Sequence, residues 1–147
     1  MTTIDDPVRL HAARLAWAHA LVFGALAFVC YVSPETAFGD GAYLPLPRLA
    51  VLAFAAVLVA LVLVLIVSAR SGTVRELKVA LLAALVLDAQ APILMLSQTA
   101  SLEYLEANLG IPWFVVPLLF VVLAGTTVHC LSRLRRETVP QPSAVAR

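Results

Sequence analysis

A chain of 147 residues is the length of one domain, and 62% of this one is hydrophobic, against the ~45–50% of soluble globular domains. Ten Lys and Arg with nine Asp and Glu supply too little polar surface to disperse a soluble fold of this size, whereas four membrane spans of ~20 residues would use ~80 apolar positions. The net charge of +1 comes without a basic patch interleaved with aromatics, so nothing points to a nucleic-acid partner.

The predicted architecture is all-α: an integral membrane four-helix bundle with both termini inside. Its spans fall at about 10–32, 48–69, 74–98 and 111–134 of a single domain over 1–137, followed by a disordered cytoplasmic tail at 138–147. The apolar runs behind those spans are 15–32, 49–69, 79–96 and 111–131, each long enough to cross ~30 Å of hydrocarbon at ~1.5 Å per residue.

The first span opens on Asp5 and Asp6, a capping pair, with Pro7 in the first turn. It reads as a retained helix, because Val29 before Cys30 is too large for lipoprotein processing and no small-residue cleavage site follows. Residues 33–46 carry two Gly and two Pro with no periodicity and read as a loop. Pro47 then starts the second span. That span has no polar side chain from Leu49 to Val67, and Ala53, Ala56 and Ala60 form a small-residue stripe suited to close helix contact. Ser71 and Gly72 close it, and Thr73 with Glu76 makes a T-x-x-E capping box for the third, so spans two and three are expected to be antiparallel neighbours.

The third span carries Asp88 at the centre of its apolar run, where an ionisable group costs at least ~2.5–3.5 kcal/mol and should face protein or water. Pro92, four residues on, has no N–H to give the Asp88 carbonyl. At 100° per residue Asp88, Pro92, Met95 and Thr99 share one face, while Gln90, Ser97 and Ser101 share the opposite one. Polar groups on two opposed sides predict that this span is the most buried of the four, or that it meets a second protein.

The outer connection at 101–110 reads as a short amphipathic helix: Leu102, Leu105 and Leu109 lie on one side, Glu103 and Glu106 face water, and Gly110 ends it. Tyr104 and Trp113 are expected at headgroup depth. The fourth span begins at Pro112 and carries Pro117, which together with Pro92 is a candidate helix kink. Beyond it the tail is Pro-rich and polar.

Orientation follows from basic residues. Arg9, Arg14, Arg70, Arg75, Lys78, Arg133, Arg135, Arg136 and Arg147 fall on one side of this arrangement and only Arg48 on the other, which puts both termini in the cytoplasm of a plasma-membrane protein. Cys30 and Cys130 then lie at opposite ends of the bilayer and cannot bridge within one subunit.

The candidate intramembrane polar site is Asp88, His19, Gln90 and Thr126. Depth along the helices, at ~1.5 Å per residue, puts His19 about 4–5 Å and Thr126 about 7–8 Å inward of the midplane. That makes His19 the first candidate partner for Asp88 and Thr126 the second, with Gly24 and Gly125 letting helices approach there. His19 and His129 also admit a b-type haem as an alternative; otherwise no cofactor and no metal is expected.

No internal repeat, phosphate-binding glycine loop, nucleophile elbow or catalytic constellation is present, which weighs against an enzyme. The leading expectation is a non-catalytic accessory or structural subunit of a membrane assembly. The alternatives are an oligomeric proton, ion or small-solute transporter centred on Asp88 and His19, and a haem redox protein. The expected partners are the lipid bilayer and either further copies of the chain or other membrane subunits.

Overall fold

The computed structural model describes residues 7–32, 45–71, 73–97, 112 and 114–138. The amphipathic segment at 101–110, the loop at 33–44, the Asp5–Asp6 cap, Thr99, Trp113 and the tail lie outside them, as do the side chains of Met95 and Ser97.

The described residues form four helices: α1 (Pro7–Val32), α2 (Pro45–Ser71), α3 (Val74–Ser97) and α4 (Val115–Thr138). Three of them are long and apolar enough to cross a membrane, over Pro7–Val32, Arg48–Ser71 and Val115–Arg136. α3 is of similar length but carries Arg75, Glu76 and Lys78 in its first turns and Asp88 further along.

The helix ends follow local chemistry. α1 starts on Pro7, whose missing N–H has no helical acceptor to lose at that position. The turn between α2 and α3 is capped from both sides. The Glu76 N–H donates to Thr73 Oγ1 at 3.3 Å, and the Leu77 N–H to the Thr73 carbonyl at 3.1 Å. The Ser71 hydroxyl donates to the Glu76 carboxylate and, at 3.3 Å, to the Ser68 carbonyl. At the start of α4 the Val115 N–H closes a turn onto the Pro112 carbonyl at 2.9 Å, so the helix proper begins three residues after that proline. Pro117 consequently sits in the first turn of α4, where no helical hydrogen bond is lost. The kink expected there is replaced by a helix start. Pro92 does lie inside α3.

α1 is the hub. It packs most extensively on α2 and also touches α3 and α4; α3 packs chiefly on α4 and touches α2. The reason lies in the residues of α1's inner face: Ala12, Ala16 and Ala20 follow one another turn by turn, with Ala27 two turns on, and their small side chains admit neighbouring backbones closely. This corrects two expectations. Ala53, Ala56 and Ala60 of α2 are exposed, and the buried small residue of that helix is Ala55. Of the alternatives for the third span, that it is the most buried does not hold among the described residues, where α1 buries eight and α3 buries Leu77, Ala80, Leu81, Ala84 and Asp88; the other alternative is that it meets a second protein. Gly24 and Gly125 do not mark close approaches either, since a methyl group added at either position would meet no atom within 4 Å.

The core is mainly apolar. Phe23 of α1 stacks on Phe120 of α4 at 6.5 Å between ring centroids, and Leu58, Leu65, Leu77, Leu81 and Leu134 fill the rest. At one end of α2 the Arg70 guanidinium lies 5.8 Å over the ring of the partly exposed Trp17. Cys30 and Cys130 are both buried and both free.

Candidate functional site

Three buried polar side chains meet where three helices touch. His19 lies twelve residues from the start of α1 and thirteen from its end, Thr127 twelve from the start of α4, and Asp88 fourteen from the start of α3. All three have no solvent exposure. His19 Nε2 stands 2.7 Å from Asp88 Oδ2, and Thr127 Oγ1 is 3.3 Å from the same nitrogen. The other ring nitrogen, Nδ1, is 2.9 Å from the Leu15 carbonyl one turn back in the same helix.

These distances determine how protons are distributed. A carbonyl oxygen only accepts, so His19 Nδ1 must carry a hydrogen. One proton then lies between Nε2 and Oδ2. Either Nε2–H donates to a carboxylate, or the carboxylic acid donates to the Nε2 lone pair. Both forms are net neutral, which is the condition a buried, apolar interior favours. Removing that proton would set a lone pair against a carboxylate at 2.7 Å. The Thr127 hydroxyl suits either form, since it accepts from N–H or donates to a lone pair.

The pair is not fully satisfied. Asp88 Oδ1 has no hydrogen-bond partner among the described residues, and no other fully buried side-chain nitrogen or oxygen there is in that position. Pro92, four residues on, brings no N–H to the Asp88 carbonyl either. Asp88 Oδ1 is therefore a buried acceptor without a donor. Phe23 completes the surroundings, with its ring 5.6 Å from that of His19 at an interplanar angle of 63°.

The sequence-predicted residues separate clearly. Asp88 and His19 are brought together. Thr126 is not part of the cluster. It is exposed, and its hydroxyl donates back to the Val122 and Leu123 carbonyls of its own helix at 3.0 and 2.8 Å. Its neighbour Thr127 takes the place expected for it, because one residue along a helix is a rotation of 100°. The signal for this is in the basic end of α4. Arg133, Arg135 and Arg136 flank Leu134, which fixes the inner face, and steps of three and four back from Leu134 give Cys130, Thr127, Leu123 and Phe120, all buried. Gln90 is exposed, on the side of α3 away from Asp88.

His19 and His129 do not form a haem site. His129 is exposed, and both ring nitrogens of His19 are engaged, so neither offers a lone pair to iron without giving up its contact. Among the described residues no group of three or more His, Cys, Asp or Glu is placed to hold a metal ion. Comparison with protein-family models, curated proteins and solved structures finds no match to this chain.

Proposed function

We propose that this chain is a four-span bundle of the plasma membrane, with both termini cytoplasmic, that serves as a non-catalytic accessory or structural subunit of a larger membrane assembly. The observation that carries this reading is Gln90. It lies two residues past Asp88 in the apolar run of α3, yet it is exposed, beside the exposed Leu82, Ala83, Val86 and Ile93. An amide facing lipid finds no hydrogen-bond partner, and transfer of such a group without one costs roughly 2–7 kcal/mol. An adjoining protein removes that cost by supplying a donor and an acceptor across the helix interface.

Two further features support the membrane arrangement. Nine of the ten Lys and Arg fall on the side assigned to the cytoplasm. Arg70 over Trp17 pairs a cation with an amphipathic aromatic at one end of α2, the combination favoured at a bilayer boundary.

The test is native mass spectrometry of the protein extracted gently from its own membranes, for the wild type and for Gln90→Leu. The reading expects a complex containing at least one different chain, dissociated by the substitution while the protein itself stays folded. A bare monomer, or an assembly of this chain alone, overturns it.

A further inference from the structure

We propose that the His19–Asp88–Thr127 cluster is a proton-binding site. It holds one proton between His19 and Asp88 at rest and takes up a second, ending with an imidazolium beside a neutral carboxylic acid.

The argument starts from the atoms that face the pair. The Leu15 carbonyl accepts from Nδ1–H, Thr127 offers a hydroxyl oxygen at 3.3 Å, Asp88 Oδ1 lacks a donor, and Pro92 supplies no N–H to the Asp88 carbonyl. Among these atoms Oδ1 is the buried acceptor to which nothing described donates, so a further proton has a defined atom to occupy.

Uptake balances simply. A hydronium ion delivers its proton and leaves as water. The imidazole ends with hydrogens on both nitrogens, Nδ1–H still donating to Leu15 and Nε2–H to Asp88 Oδ2, and the acid hydrogen resides on Oδ1. That oxygen has the capacity, because it holds no other bond.

A metal cation is a poor guest by comparison. Calcium or a similar hard ion takes about six to eight oxygen ligands, far more than this cluster presents, and the imidazole hydrogens would repel it. Other charges do not intrude from the packed elements. α1 adds Phe23; the buried residues of α2 are Val51, Ala55, Leu58, Leu65 and Ser68; α3 adds Ala84, and α4 adds Leu123 and, one turn from Thr127, the thiol of Cys130. Of these only the thiol is titratable, and it is neutral over the acid range in which uptake is sought. The proposal is separate from the accessory-subunit reading, since a subunit held in an assembly can bind a proton or not.

The experiment uses full-length protein in lipid nanodiscs, with His11 and His129, both exposed, replaced by Gln so that His19 is the sole histidine. Nitrogen-15 magnetic resonance reports both ring nitrogens, and infrared spectroscopy with carbon-13 aspartate reports carboxyl protonation, over a descending pH series. The expected result is an acid state in which both His19 nitrogens carry hydrogen while a buried, slowly exchanging aspartic acid band is present. One proton is gained per chain, and the band is absent in Asp88→Asn. The histidine measurement needs no change at the site, so it stands even if Asp88→Asn fails to fold. Unfolding before uptake, or an imidazolium and a protonated Asp88 that never coexist, overturns the proposal.

Discussion

Because the Leu15 carbonyl can only accept, the tautomer of His19 follows from one distance, and the proton count of the pair follows from the tautomer. Which atom holds the shared proton is a question of energy that substitution can answer. Interhelical hydrogen bonds between neutral groups within membranes average about 0.6 kcal/mol and reach about 1.7, while breaking a buried ion pair from one side costs about 3–5 kcal/mol. A double-mutant cycle of His19→Leu and Asp88→Leu, read by reversible unfolding in detergent, is expected to show each single change costing more than its share of the double. A coupling energy above about 1.7 kcal/mol, the upper end for neutral groups, is expected of imidazolium with carboxylate, and one at or below it of the neutral pair. Strictly additive changes would mean that the contact contributes nothing. Depth along the helices was enough to single out His19 for Asp88. It was not enough for α4, where Thr126 and Thr127 differ by only ~1.5 Å in depth but by 100° in direction, and direction decides contact.

Small residues matter at the level of helices through the neighbour they meet. α1 and α2 both carry alanines at helical spacing, but those of α1 are buried and Ala53, Ala56 and Ala60 of α2 are exposed. Ala16→Leu is therefore expected to overpack the α1 interface and lower stability by about 1–3 kcal/mol, whereas Ala56→Leu is expected to stay within about 0.5 kcal/mol of wild type. Thermal unfolding of both in the same detergent checks the difference; equal losses would put α2's alanines in contact after all. Helix boundaries were readable near their caps, as at Pro7 and the Thr73–Glu76 turn, because capping is a matter of neighbouring residues. The start of α4 was not, since Pro112 is compatible with a helix start or with the turn that precedes one, and the Pro112–Val115 bond chooses the turn.

For the molecule as a whole, the uneven distribution of Lys and Arg predicts that both ends face the same compartment. Cys30 and Cys130 are buried and make a quiet background for labelling. Ser143→Cys, placed in the tail, is expected to react with a membrane-impermeant thiol reagent only after the cells are permeabilised, and labelling of intact cells would reverse the orientation.

The linear sequence already called for helices apolar enough for a membrane, because hydrocarbon demands long uninterrupted apolar runs and such runs are a property of the chain; the described residues form four helices, three of them long and apolar enough to span. It also marked Asp88 as the group that must be accounted for, because a carboxyl within such a run is costly wherever it points. The tertiary structure alone decided which helix is the hub, which of two adjacent threonines joins the cluster, and that Gln90 is turned outward while Asp88 is sealed inside. On helices that are apolar all round, hydrophobic periodicity says little about rotation about the axis, so rotation is set by the neighbours each helix packs against.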